Sequence, residues 1–166
     1  MPLNTSYKPV SGTVLPRYAG IATFMRLPFI PLESIDEVDI GLIGVPWDGG
    51  TTNRAGARHG PRQIRDLSTM ARNVNHSNGI QPFKIANCAD LGDSPVNPMD
   101  IMDSLAKIET FFNSVHKQGV VPLAAGGDHL VTLPIMRGIT TGEPMGMVHF
   151  DAHTDTWDRY FDGCQY

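Results

Sequence analysis

The chain has 166 residues, a length that suits one domain with a substantial hydrophobic core. Its 13 Lys and Arg against 17 Asp and Glu give a net charge of −4, and no dense basic patch argues for a nucleic-acid partner. No apolar run approaches the roughly 20 residues of a membrane-spanning helix, and the first residues lack an apolar signal-peptide core. We therefore expect a cytoplasmic protein with neither a nucleic-acid nor a membrane partner.

Residues 1–37 contain prolines at positions 2, 9 and 16 and predict an irregular N-terminal arm. Cys88 and Cys164 are the only cysteines and lack zinc-ligand spacing, so reduced thiols are expected, although a disulfide between them stays open. The sequence shows no repeat, low-complexity tract or linker. We therefore treat residues 1–166 as a single domain.

Strand and helix patterns alternate from Val38 onward. Short apolar runs predict four strands, at residues 38–45, 84–93, 120–125 and 145–150. Pro61 opens a predicted helix in which Ile64, Leu67 and Met70 have helical spacing. A longer helix is predicted between Pro98 and Gly119, and a third after residue 128, broken or bent at Pro134.

This alternation predicts an α/β fold with a parallel sheet covered by helices on both faces. In open parallel sheets, ligands bind beyond the carboxyl ends of the strands. Polar loops follow the predicted strands that end near Val45, Ala125 and Phe150. We therefore expect these three loops to meet at one edge of the sheet.

The run MVHFDAHTDTW, residues 147–157, carries the most informative pattern. It places Asp151, His153 and Asp155 at every second position, and alternate side chains of an extended backbone point the same way. Two carboxylates and an imidazole that converge predict a metal site, and the upstream GGDH run adds His129 as a candidate ligand. Taken without this context, the same run could be a solvated loop that binds no metal.

Together these motifs resemble those of the ureohydrolase family, which includes arginase, agmatinase and related guanidino-acid hydrolases. The resemblance extends over nearly the whole chain, in the segments WDGGTTNRAGARHGPRQIR, LGDSPVNP, LAAGGDHLVTLPI and MVHFDAHTDTWDRYF. It is closest to the bacterial agmatinase, guanidinobutyrase and guanidinopropionase branch. It implies a three-layer arginase-like fold with a mainly parallel sheet between helices. One departure is Leu130, where much of the family has Ser after GGDH, and we expect it to affect packing.

The resemblance also implies two manganese ions in each active site. His129 and Asp155 would hold one ion and His153 the other, while Asp151 would touch both and so bridge the nucleophilic water. Asp128 is expected to support these ligands as a hydrogen-bond partner. Oxygen and nitrogen ligands without thiolate suit manganese better than zinc, although nickel or cobalt could occupy the same site.

The implied activity is metal-dependent hydrolysis of the terminal guanidino group of a linear guanidine to urea and a primary amine. Agmatine, guanidinobutyrate and guanidinopropionate are the candidate substrates. Their tails are expected to contact Asn53, Arg54, Trp157 and Asp158, and an arginine near the mouth favours a carboxylate tail. The resemblance further implies a homotrimer or homohexamer for the complete protein.

A later family motif of the form SxDxDxxDP is absent, so we expect this chain to be the N-terminal part of a ureohydrolase and inactive alone. Two alternatives stay open. The chain could be a non-catalytic truncated paralogue or assembly partner, or part of a dimetal hydrolase of another C–N bond, such as a formimino group. Among the other histidines, His149 is interpreted as a core residue, and His59, His76 and His116 as loop or surface residues.

Overall fold

The computed structural model describes residues 7–140, 142–157, 159 and 161. One sheet contains the parallel strands β1 (Ile40–Val45), β2 (Cys88–Asp93) and β3 (Val121–Gly126), in the order β2-β1-β3. The helices are α1 (Gly60–Ser68), α2 (Ile101–Lys117) and α3 (Thr132–Ile139). Single 3-10 turns lie at Phe24–Arg26, Leu32–Ser34, Ala57–His59, Pro82–Lys84 and His129–Val131. The predicted α/β architecture and three of the four predicted strands are confirmed.

The central strand β1 is paired on both sides. Ile40 lies opposite Cys88 of β2 and Val121 of β3, and the pairing with β3 continues to Val45 opposite Gly126. All three strands run in the same direction, so their carboxyl ends lie at one edge of the sheet. This edge carries the loops that follow β1 and β3.

The two faces of β1 pack against different parts of the chain. Ile43 and Val45 are fully buried in a cluster with Ile108 and Phe112 of α2. Leu42 points to the other face, where it packs in a second cluster with Phe24 of the N-terminal segment. The period of two in a strand thus gives β1 one cluster on each face of the sheet.

Helix α2 ends before Gly119, as its sequence predicts, but it begins at Ile101 rather than at Pro98. Asp100 is the N-cap, and its carboxylate accepts a 3.0 Å hydrogen bond from the backbone N–H of Asp103. One turn later, Lys107 pairs with Asp103 at 2.6 Å. Gly119, with φ of 75°, follows the helix in a left-handed conformation that glycine adopts at little cost. The apolar residues at three- and four-residue steps all fall within this helix: Ile101, Leu105, Ile108, Phe111, Phe112 and Val115.

Helices α2 and α3 cross closely at Gly138. A Cβ atom at this position would lie 2.6 Å from the carbonyl oxygen of Glu109 and 3.0 Å from the Cβ of Phe112. The carbonyl of Gly138 accepts a 3.0 Å hydrogen bond from the side-chain amide of Asn113. The absence of a side chain on Gly138 therefore allows the two helices to approach each other.

An ion-pair cluster attaches the N-terminal segment to the sheet. The buried carboxylate of Asp90 accepts hydrogen bonds from the backbone N–H of Phe24 at 2.9 Å and from Nε of Arg65 at 2.8 Å. The guanidinium of Arg65 also lies 4.2 Å from the ring centroid of Phe24. Arg65 and Asp90 therefore link strand β2, helix α1 and the N-terminal segment.

Two predictions about secondary structure are wrong. Residues 145–150 form no strand, and the side chains of Val148 and Phe150 are 82% and 93% exposed. A strand needs a neighbour that pairs with its N–H and C=O groups, and no described strand lies beside this segment. Pro134 does not break its helix, because it lies in the first turn of α3, where its missing N–H would have no partner within the helix.

The helix predicted from Pro61 is confirmed as α1 and contains Ile64 and Leu67, but it ends at Ser68, before Met70. The apolar side chains of the predicted face are not in the core. Ile64, Leu67 and Met70 are all exposed. Periodicity shows which residues share a face, whereas burial depends on what packs against that face. Among the helices that the structure describes, none is long and apolar enough to cross a membrane.

Candidate metal centre

The loops that follow β1 and β3 are joined by hydrogen bonds through Asp128. Its backbone N–H donates to the carbonyl of Trp47 at 2.8 Å, and its Oδ2 accepts from the N–H of Gly50 at 2.7 Å. Gly127 makes this approach possible, since its φ is 61° and a Cβ there would lie 2.3 Å from the Trp47 carbonyl oxygen. The residue before His129 therefore fixes the two loops against each other.

The pKa of the Asp128 carboxyl is raised above its usual value. Partial burial is the main cause, the negative charge of Asp48 adds to it, and the hydrogen bonds from Gly50 and Leu130 act in the opposite direction. A carboxylate in this position serves as an acceptor for two backbone N–H groups. The expected role of Asp128 as a supporting residue is compatible with these contacts.

Asp48 holds the glycine-rich loop after β1 in a closed shape. Its fully buried side chain accepts hydrogen bonds from the backbone N–H groups of Gly56 at 2.7 Å and of Arg58 at 3.2 Å. It also pairs with the guanidinium of Arg58, which is the main reason that the pKa of Asp48 falls to about 2. The loop of residues 48–58 is thus closed by a carboxylate that is ionised at neutral pH.

Four side chains gather beside this loop pair, and we call them the His–Asp cluster: His129, His149, Asp151 and Asp155. Nδ1 of His129 lies 2.8 Å from Oδ2 of Asp155 and 3.4 Å from Oδ2 of Asp151. Nε2 of His149 lies 3.7 Å and 3.8 Å from the same two oxygens. One donor atom from each of the four residues lies within 4.8 Å of all the others.

This arrangement fits a divalent cation. Nitrogen and oxygen ligands bind transition metals at about 2.0–2.2 Å, so donors on opposite sides of an ion are separated by roughly 4.0–4.4 Å. The spread of the His–Asp cluster is close to this value. Two carboxylates and two imidazoles without thiolate form a mixed oxygen and nitrogen ligand set, and nothing in this set identifies the metal.

The two carboxylate oxygens of Asp151 face different imidazoles. Oδ2 faces His129, whereas Oδ1 lies 3.2 Å from Nδ1 of His153. Oδ1 also accepts a 2.8 Å hydrogen bond from the backbone N–H of His153, and this bond is the main cause of the lowered pKa of Asp151. Asp151 is therefore placed between the side of the cluster formed by His129 and the side formed by His153.

The structure does not bring His153 to the same point as Asp151 and Asp155. The turn closed by Asp151 replaces the extended backbone that the period of two assumes, and the His153 side chain is 82% exposed. Asp155, with φ of 49°, turns the chain again, and its carboxylate reaches His129. The predicted convergence therefore holds for His129, Asp151 and Asp155, but not for His153.

His149 is the member of the His–Asp cluster that the sequence analysis missed. Its interpretation as a core histidine is wrong, because the residue is exposed and its ring lies 5.1 Å from that of His129. The period of two that links Asp151, His153 and Asp155 extends back to His149, and this extension was the available signal.

The predicted substrate-binding residues that the structure describes, Asn53, Arg54 and Trp157, are not in the His–Asp cluster. Asn53 and Arg54 are exposed in the loop that Asp48 closes, and Trp157 is exposed two residues after Asp155. Asp158 and Cys164 lie outside the described residues. Cys88 is buried and is a free thiol in the structure.

Residues 38–166 match the model of the arginase family. The chain is 56% identical over 158 residues to guanidinopropionase of Pseudomonas aeruginosa, with 95% of this chain and 49% of the relative covered. It is 42% identical over 158 residues to guanidinobutyrase of the same organism, with 93% and 49% covered. The chain thus spans about half the length of the curated relatives it matches.

Solved structures give the same result for the fold. The proclavaminate amidino hydrolase of Streptomyces clavuligerus superposes with a TM-score of 0.78 at 36% identity, covering 89% of this chain and 49% of that one. A hypothetical agmatinase from Burkholderia thailandensis also gives a TM-score of 0.78, at 33% identity, with 85% and 45% covered. The three-layer fold expected from the sequence is therefore confirmed.

Proposed function

Since the chain belongs to the arginase family, we propose that the protein containing it hydrolyses the guanidino group of a linear guanidine to urea and a primary amine. The placement of Asp151 between His129 and His153 is the observation that carries this proposal. A guanidinium is cationic at neutral pH and a poor electrophile, so its hydrolysis needs a strong nucleophile held in place.

We propose that His129 and Asp155 hold one divalent cation, that His153 holds a second, and that Asp151 contacts both. Each oxygen of Asp151 faces one of the two imidazoles, which supports a bridging role. When bound, paired cations lower the pKa of water and so supply a nucleophile near neutral pH. We propose manganese as the metal, since oxygen and nitrogen ligands without thiolate suit it better than zinc, and nickel and cobalt are compatible with the same ligands.

We propose that residues next to the metal ligands position these ligands and the substrate. Asp128 positions His129, because it fixes the start of the His129–Val131 turn to the loop after β1. That loop contains Asn53 and Arg54, which we propose contact the tail of the substrate together with Trp157 and Asp158. In the reaction, water adds to the guanidino carbon, and the carbon–nitrogen bond to the alkyl chain breaks with protonation of the leaving amine.

The names of the relatives and the charge of Arg54 favour a substrate that ends in a carboxylate. The carboxylate of guanidinopropionate or guanidinobutyrate would be attracted to the positive charge of Arg54. Agmatine carries a second positive charge in its place, which Arg54 would repel. Arg54→Met should therefore lower kcat/KM for the two guanidino acids about tenfold or more, with little loss for agmatine. Equal effects on all three compounds would show that Arg54 does not contact the carboxylate of the substrate tail.

The proposed activity is tested by urea release from the purified native protein supplied with Mn²⁺. Guanidinopropionate, guanidinobutyrate and agmatine are compared, and formamide is measured with a formimino substrate. We expect urea from at least one guanidine. Formamide in its place would establish the formimino alternative, and no product from any compound would favour the non-catalytic alternative.

Asp151→Asn should reduce urea release at least about a hundredfold, because even residues that only orient metal ligands cost 10–100-fold when replaced. Asp66→Asn provides the matched control, since Asp66 is an exposed aspartate on α1, outside the His–Asp cluster. Undiminished turnover in Asp151→Asn would contradict the proposed mechanism, even if the native protein releases urea.

A further inference from the structure

A cavity of about 370 Å³ lies between the N-terminal segment and the residues that follow α1. None of its walls comes from the His–Asp cluster. Three of its lining side chains are arginines, namely Arg17, Arg26 and Arg72, and none is an aspartate or a glutamate. The volume falls within the roughly 300–1,000 Å³ that is typical of small-molecule sites.

Arg26 is a buried residue whose guanidinium has no counter-ion among the residues that the structure describes. The residue is only 8% exposed, and its Nη2 donates a 2.9 Å hydrogen bond to the carbonyl of Leu15. A guanidinium has five N–H donors and stays charged in proteins. In the part of the chain that the structure describes, Arg26 forms no ion pair. A buried charge of this kind normally has an anionic partner.

The backbone directs Arg26 into this position at a conformational cost. Met25 and Arg26 have φ values of 52° and 61°, in the left-handed region that residues other than glycine disfavour. The N–H of Met25 is held by a 2.8 Å hydrogen bond to Oγ of Ser68, at the end of α1. The local fold therefore maintains a strained turn that keeps Arg26 at the cavity.

The other two arginines add positive charge to the same cavity. The Arg17 side chain covers Gly12, where a Cβ would lie 3.2 Å from Nε of Arg17, and Arg72 is exposed at the cavity wall. Neither residue forms an ion pair among the described residues. Three positive charges in the lining of one cavity, with no acidic side chain there, repel one another. Such a positive cavity is unexpected in a chain of net charge −4.

We propose that this cavity binds a small organic anion through carboxylate or phosphoryl oxygens. The forked N–H groups of arginine match both kinds of oxyanion. The hydroxyls of Ser11 and Thr13, which lie 2.7 Å apart and hydrogen-bond to each other, leave one O–H free as a further donor in the lining. Pro9, Val10 and Val74 would contact an apolar part of the ligand. The site is separate from the proposed metal centre and does not depend on the proposed activity.

The proposal is tested by isothermal titration calorimetry on the purified native protein, freed of metal with a chelator and kept at constant ionic strength. Inorganic phosphate and succinate are the two probes, and binding of one or the other identifies the oxyanion. We expect saturable binding of one anion per chain. Arg17→Ala and Arg72→Ala should each weaken it at least about tenfold. Arg137→Ala, an exposed arginine on α3, should leave it unchanged.

Arg26→Lys extends the test to the buried position, because it keeps the charge and removes the forked geometry. It should weaken binding while the circular dichroism spectrum stays native. The proposal is overturned if neither probe binds saturably, or if Arg17→Ala and Arg72→Ala bind as tightly as the native chain. Binding that is lost in Asp151→Asn but kept in both arginine variants would place the anion at the metal centre and also overturn it.

Discussion

Nδ1 of His129 lies 2.8 Å from Oδ2 of Asp155, although the two residues come from separate segments. His129 opens the 3-10 turn after β3, whereas Asp155 belongs to the irregular segment that follows residue 141. Neither residue could form half of a metal site if the other segment were displaced. The contact therefore joins the sheet edge to the segment that carries both aspartates.

His129→Ala should weaken binding of Mn²⁺ at least about tenfold, because it removes the nitrogen that faces both aspartates. His116→Ala is the matched control, since His116 lies in the last turn of α2 and outside the cluster. Calorimetric titration of the metal-free native protein measures both affinities. Equal affinities in the two variants would exclude His129 as a ligand.

Either His149 or His153 could be the histidine ligand of the second proposed ion, and the metal content of variants distinguishes the two. We expect His153→Ala to retain only one of the two proposed ions, because Oδ1 of Asp151 loses its neighbouring imidazole. His149→Ala should retain both ions, although its ring lies near the same aspartates. Elemental analysis after dialysis gives the ratio of metal to protein. The reverse result would assign His149 as the ligand and His153 to the solvated surface.

The pairing of Asp48 with Arg58 makes stability depend on pH. The pKa of Asp48 is lowered in the folded protein from 3.8 to about 2, so its contribution to the free energy of unfolding is complete above the unfolded value. This contribution is lost as pH falls from about 4 to about 2. Arg58→Gln removes the main cause of the pKa shift. It should lower the urea concentration at the midpoint of unfolding more at pH 7 than at pH 3.

Arg62→Gln is the control for this prediction. Arg62 is exposed on α1 and forms no ion pair with any described residue. Its substitution should lower the midpoint of urea unfolding only slightly, and by a similar amount at both pH values. If Arg58→Gln shows the same pH dependence as the native protein, Arg58 is not what keeps Asp48 ionised.

The sequence predicted those features that depend on local pattern. Gly119 ends α2 as expected, because a left-handed glycine acts over a few residues. The N-cap Asp100 was not among the predicted boundaries, since Pro98 was expected to open the helix. Residues 145–150 show where this approach fails, since an apolar run becomes a strand only beside a partner. His153 fails for a related reason, because a hydrogen bond from its own N–H to Asp151 bends the backbone.

The buried apolar face of α2 contributes to the stability of the fold. Phe112 is fully buried between the sheet and α3, with its ring centroid 5.9 Å from that of Phe111. Phe112→Ala should lower the free energy of unfolding by about 3–5 kcal/mol, through lost burial and the cavity left behind. Met102→Ala, on the exposed face of the same helix, should change it by less than about 0.5 kcal/mol. Denaturant titration of both variants measures the difference, and comparable losses would show that the core does not centre on this face of α2.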